Sequence, residues 1–196
     1  MGHRLFIAIN LPEDIKNKLT YYQKKWPELP VRWTREKNLH ITLIFLGYLS
    51  SDEELLEICK ITKKVSLRNQ SFSINLNKIC YGPPPSSRSQ SESKPPRMVW
   101  VEGEKSREFA VLRDDLEKSL TGSERINFSP EGRAFSPHIT LGRIRVWEFR
   151  QIEIEERPEI NEDIDLNFEV NSIEIMESVL KRGGPNYTVL ESIPLK

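Results

Sequence analysis

Apolar residues along the chain recur in two rhythms, and the switches between them predict the elements. Arg4 to Asn10 (RLFIAIN) is a continuous apolar run that reads as a buried strand. Leu11-Pro12-Glu13-Asp14 then opens a helix, with proline and acids in the first turn, where unpaired amide groups favour them. That helix extends to about Lys25, with Ile15, Leu19 and Tyr22 at helical spacing. A short strand at Val31 to Trp33 leads through a polar turn into a second strand that starts at His40 and is ended by Gly47. From Asp52 to Val65 the pattern is helical again, with Leu55, Leu56, Cys59 and Ile61 or Thr62 on one side. Phe72 to Tyr81 alternates Phe72, Ile74 and Leu76 with Ser73, Asn75 and Asn77, the signature of a half-exposed strand.

Gly82 to Arg97 breaks the regularity. Its proline, serine and charge content cannot build a packed core, so residues 83–97 are expected to form a flexible Pro/Ser-rich loop insertion. Met98 to Glu102 predicts a strand. Ser106 to Leu120 predicts a helix with Phe109, Leu112, Leu116 and Leu120 on one side and Ser106 as its cap. A polar passage through Gly122 and Gly132 delivers a strand at His138, with Pro137 at an acceptable place for proline, directly before it. Phe168 to Ser178 and Tyr187 to Ile193 read as the closing strands. The order of elements is that of an α+β protein with an imperfect internal duplication, most economically arranged as two related halves facing each other across a cleft.

Composition narrows the functional classes. The chain has 196 residues, enough for one well-filled core. Lys plus Arg number 29 and Asp plus Glu number 29, so there is no bulk positive field for gripping long nucleic acid, and any phosphate recognition must be local. Two cysteines, Cys59 and Cys80, fit neither a disulfide framework nor a zinc cluster, and read as thiols in a reducing compartment. The first apolar run is too short for a signal peptide or a membrane span, so the expectation is a cytoplasmic, soluble protein.

The chemistry concentrates in one tetrapeptide that occurs twice, His40-Ile41-Thr42-Leu43 and His138-Ile139-Thr140-Leu141, using two of the three histidines. His3 is given no role. Side chains on a strand alternate between faces, so each copy offers an apolar face to the core and a His-Thr face to something polar. Three readings compete. The first is two satisfied structural histidines; the second is a metal site, which would favour His-x-His and lacks an obvious third ligand. The third is metal-free acid–base chemistry at phosphorus. There one imidazole takes a proton from the entering oxygen, the other gives one to the leaving oxygen, and the threonine hydroxyls hold the non-bridging oxygens. A nearby cation such as Arg143 could neutralise developing charge.

The two motifs in their contexts, RWTREKNLHITLIFLG and RAFSPHITLGRI, resemble the 2H phosphoesterase superfamily, specifically the RNA 2′,3′-cyclic phosphodiesterases historically called 2′-5′ RNA ligases. RLFIAINLPED, MVWVEGE and SVLKRGGPNYTVLESIPL resemble further segments of that family, so the likeness spans nearly the whole chain. It implies a single domain over residues 1–196 made of two pseudo-symmetric lobes, an α+β fold with two antiparallel sheets facing a central cleft and helices outside. It also implies hydrolysis of RNA terminal 2′,3′-cyclic phosphates to 2′-phosphates without cofactor or metal, and 2′-5′ joining of RNA ends in some members. The partners implied are RNA 3′ ends bearing that cyclic phosphate, such as tRNA fragments, met by a monomer with no membrane association. Carried over by position, His40 and His138 are acid and base, Thr42, Thr140 and Arg143 bind the phosphate, and Phe45 and Tyr187 lie against the substrate. Phe45 and Arg143 stand an odd number of residues from their histidines, so a bulge or strand end is needed to bring them to the same face. Core packing for Phe45 and a strand-closing role for Tyr187 stay open, as do another small cyclic phosphate or 2′-5′ oligonucleotide as substrate and a non-catalytic RNA-end binding role. Ala134 stands where the family commonly has proline, and the segment from Pro83 to Pro96 is longer than the family pattern.

Overall fold

Leu5, Ile7 and Ile9 of the first strand, β1 (Arg4–Asn10), are buried on one face, while Phe6 and Ala8 point the other way into a separate small cluster with Met176. Both faces of this strand are therefore apolar, which is why it reads as a continuous run rather than an alternation. Burying a side chain of this size contributes roughly 1.5–3 kcal/mol, so β1 is a principal anchor of the core. The structure, a computed structural model, describes residues 4–83, 95–130, 136–182 and 184–196. The Pro/Ser-rich segment, apart from its ends, lies outside the described residues, as do His3, Gly132 and Ala134.

The remaining elements are α1 (Glu13–Gln23), β2 (Val31–Trp33), β3 (His40–Tyr48), α2 (Asp52–Ser66), β4 (Phe72–Gly82), β5 (Met98–Gly103), α3 (Arg107–Thr121), β6 (His138–Ile144), α4 (Val146–Phe149), β7 (Asn161–Val170), β8 (Ser172–Lys181) and β9 (Gly184–Pro194). Helix starts follow the sequence signals. Ser51 accepts from the Glu54 amide at 3.3 Å while the Glu54 carboxylate accepts from the Ser50 amide at 2.6 Å, and Ser106 accepts from the Phe109 amide at 3.0 Å.

The strands pair in the order β7-β4-β5-β6-β3-β1-β8-β9, with β2 added to β6, and every pairing among the described residues is antiparallel. The two expected sheets are the two ends of this ladder, β7-β4-β5-β6 and β3-β1-β8-β9. They meet at one register pair, Ile41 with Ile139, both fully buried. The duplication is visible in connectivity: β1-α1-β3 and β5-α3-β6 are the same strand–helix–strand unit, each ending in a strand that starts with His-Ile-Thr-Leu.

The region from Phe168 to Ser178, expected as one strand, is two. β7 ends at Val170 in one half and β8 begins at Ser172 in the other. The buried positions explain it. Ile164, Leu166, Phe168 and Val170 are even-numbered, Ile173 and Ile175 odd, so the alternation changes phase at Asn171, where the chain leaves one half for the other.

Candidate active site

Because β3 and β6 run antiparallel through the Ile41–Ile139 pair, the residue before one isoleucine lies across from the residue after the other. His40 therefore stands opposite Thr140, and Thr42 opposite His138, all four on the face that the isoleucines leave free. All four are half-buried and line one cleft of about 610 Å³. Arg143, Phe45 and Tyr187 line it as well, so the structure brings every residue singled out in the sequence to one place.

Bulges carry the odd-offset residues there. Along β1–β3 the register shifts between Ile7 and Ala8, so that Leu43 is the extra residue and Leu43 and Ile44 are both buried in succession. Along β5–β6 it shifts between Val99 and Trp100, and Leu141 is the extra residue. The same bulge at the fourth position of each motif turns Phe45 and Arg143 to the side of His40 and His138. Phe45 is 51% exposed, which excludes core packing. Tyr187 is half-buried on the Phe6–Ala8–Met176 cluster and also faces the cleft, its ring meeting His40 edge-on at 5.1 Å and 90°, and Phe6 at 5.1 Å and 72°.

Each imidazole is oriented by the chain just before it. His40 Nδ1 lies 2.7 Å from the Asn38 carbonyl, and His138 Nδ1 lies 2.8 Å from the Ser136 carbonyl. A carbonyl oxygen only accepts, so both rings carry their proton on Nδ1 and turn Nε2 towards the cleft. Beyond this shared feature the two differ. His40 Nε2 is 3.0 Å from the Thr42 hydroxyl, and burial holds its pKa down to about 4, with the Asn38 carbonyl opposing the shift and the charge of His138 adding to it. His138 stacks on the Trp100 indole at 3.9 Å between centroids and 22° between planes. The Thr140 hydroxyl is turned to the Met98 sulfur at 4.0 Å, a sulfur that Arg143 also approaches at 3.7 Å.

Several positions that shape the cleft were not legible beforehand. Gly82 makes room for Trp100, since a Cβ there would lie 2.1 Å from the indole. Thr34 donates its hydroxyl to the Thr140 carbonyl at 2.7 Å, and Gln23 donates to the carbonyls of Thr34 and Leu141 at 2.8 and 3.2 Å, fastening the second motif to β2 and α1. Asn38 donates to the Pro185 carbonyl at 2.8 Å and so ties the approach to His40 to the strand that carries Tyr187. Arg4 and Arg32 add positive charge to the cleft wall. The only sequence signal for them was the paired X-x-His spacing of Asn38 and Ser136; the arginines come from strands far apart in the chain. No group of three His, Cys, Asp or Glu side chains among the described residues is arranged to hold a metal ion.

Comparison with known proteins points the same way. A model of the LigT-like phosphoesterase family matches residues 9–90. A curated RNA 2′,3′-cyclic phosphodiesterase of Aeropyrum pernix is 32% identical over 84% of this chain and 86% of its own length. One of Methanocaldococcus jannaschii is 29% identical over 96% of this chain and 98% of its own. Among solved structures, E. coli LigT complexed with 3′-AMP superposes with a TM-score of 0.74 at 25% identity, covering 100% of this chain and 99% of that one.

Proposed function

The chain belongs to the LigT-like phosphoesterase family, and from that premise we propose that it hydrolyses the terminal 2′,3′-cyclic phosphate of RNA to a 2′-phosphomonoester. The observation that carries the reading is the crossed pairing of the two motifs, which sets two imidazoles with outward Nε2 atoms and two hydroxyls around one point of the cleft.

In this mechanism the cyclic phosphate sits between Thr42 and Thr140, whose hydroxyls donate to its non-bridging oxygens, with Arg143 beside the developing charge. Water attacks phosphorus on the side opposite the 3′ oxygen. The bare Nε2 of one neutral imidazole takes the water proton as the P–O bond forms; the other ring, entering the cycle as imidazolium with protons on both nitrogens, gives its Nε2 proton to the 3′ oxygen as that P–O bond breaks. His40, which burial keeps neutral, is the base, and His138 is the acid. Each transfer is worth about 10² to 10⁴ in rate. Tyr187 and Phe45 supply aromatic surface against the sugar and base of the terminal nucleoside. With an RNA 5′ hydroxyl entering in place of water, the same steps in the same direction join ends through a 2′-5′ linkage. The free thiols Cys59 and Cys80, both pushed up in pKa chiefly by burial, suit a reducing cytoplasm.

The test is incubation, with chelator present, with a short RNA ending in a 2′,3′-cyclic phosphate. The expected product is the 2′-phosphate alone. A 3′-phosphate, or no turnover by folded protein, overturns the reading.

A further inference from the structure

The β2–β6 pairing sets Arg32 directly opposite Arg143. Like charges at directly opposed positions, with Cβ atoms about 4.5–5.5 Å apart, destabilise a sheet unless something negative lies between them. Neither arginine has a carboxylate partner among the described residues; the contact made by Arg143 is to the Met98 sulfur. Both are exposed to the cleft. Arg32 turns into the cleft: its guanidinium carbon comes within 3.9 Å of the Cβ position of Gly184 at the start of β9, so the side chain reaches from one half of the molecule towards the other. Arg4, on β1, is the third guanidinium, also exposed and also without a carboxylate partner among the described residues. The Tyr187 phenol feels the charge of all three, Arg143 most strongly, so they converge on one part of the cleft. Arg32, Trp33 and Arg143 are also shared with a second cavity of about 600 Å³ that continues over β2 to Arg145.

A cyclic phosphate carries a single negative charge. Thr42, Thr140 and Arg143 already answer it, and Arg4 and Arg32 are left over. Along β6, with Leu141 the extra residue of the bulge, Arg143 stands two strand positions from Thr140, roughly 7 Å at 3.3 Å per position, so Arg143 sits at the edge of the phosphate site and Arg32, opposite it and reaching towards Gly184, lies on the scale of one nucleotide step away. We propose that Arg32 and Arg4, with Tyr187 between them, form a second anion subsite for the phosphate on the 5′ oxygen of the terminal nucleoside, so that the substrate is an RNA chain rather than a mononucleotide. The assignment rests on the reading above for the identity of the terminal group.

The experiment compares binding of three probes by calorimetry, which requires no turnover and so succeeds or fails separately from the hydrolase reading. The probes are adenosine 2′-phosphate, adenosine 2′,5′-bisphosphate, and the dinucleotide ApA ending in a 2′-phosphate. Both probes with a 5′ phosphate are expected to bind roughly 10- to 100-fold more tightly than adenosine 2′-phosphate, the range that charge-assisted hydrogen bonds support. The ratio should collapse in Arg32→Ala and Arg4→Ala, whose exposed positions leave the fold intact as judged by melting. Equal affinities for all three probes overturn the proposal. So does a gain confined to the dinucleotide, which assigns it to the added nucleoside, or a ratio that survives both substitutions.

Discussion

The indole of Trp100 lies flat on the imidazole of His138, 3.9 Å between centroids, whereas the corresponding histidine, His40, meets Tyr187 edge-on at 5.1 Å. Two motifs identical in sequence thus sit in different aromatic settings, and the difference originates at Gly82. The absence of a Cβ there lets the indole drop onto β4 and turn its face to His138.

Gly82→Ala is therefore expected to act through Trp100. A Cβ at 2.1 Å from the indole forces the ring to move, at a cost of about 1–3 kcal/mol for overpacking. A misplaced general acid loses up to about 10²-fold in kcat. Trp100→Leu should show a similar loss of kcat, and adding Gly82→Ala to it should cost little more in either melting temperature or kcat. Full additivity of the two substitutions would show that they act independently.

Stability should respond to pH through His40. Burial holds its folded pKa at about 4, against 6.5 in an exposed chain. Between those values the unfolded chain binds more protons, so stability rises with pH across the window. This contribution is complete above about pH 6.5 and is lost as the pH falls through about 4. With the cleft open to solvent, it is of the order of 1–2 kcal/mol. His40→Asn should flatten the melting temperature between pH 4 and 6.5 relative to the unsubstituted protein; an unchanged slope would place the titration elsewhere.

What could be read from the sequence and what could not divide along a physical line. The motif strands, the helices with their Ser106 cap and the apolar β1 are set by contacts among near neighbours, and they stand where periodicity placed them. The odd spacing from His40 to Phe45 even required the bulge that Leu43 provides. The split between β7 and β8 was missed because acidic residues on the open face of β7 dilute its apolar signal, although the phase change at Asn171 marks it. Trp100 and Arg32 could not be assigned, because their meaning depends on strand pairings between residues far apart in sequence.

Gly142 is expected to be intolerant of any side chain. A Cβ would lie 2.5 Å from Val31 and 2.8 Å from Trp33, the two residues of β2 that flank Arg32. Gly142→Ala should push β2 off β6, break the Thr34 bond to the Thr140 carbonyl and lower stability by about 1–3 kcal/mol. Urea unfolding measures the loss. A smaller companion change, Val31→Ala, should recover part of it by clearing the nearer contact.

The roles of the two histidines can be separated by the leaving group. Replacing either with Ala removes one proton transfer and is expected to lower kcat by about 10² to 10⁴ on RNA cyclic phosphate, with the fold retained. A phosphodiester with a p-nitrophenyl leaving group needs no proton from an acid, because phenolate leaves unaided. The His138→Ala enzyme should therefore regain most of its rate on that substrate. The His40→Ala enzyme should not, since water still has to lose a proton to reach phosphorus. The assignment follows from His40 being the ring that burial keeps neutral, its Nδ1 proton held by the Asn38 carbonyl and its Nε2 lone pair turned to the cleft. Rescue of His40→Ala instead would exchange the two roles while leaving the paired acid–base chemistry intact.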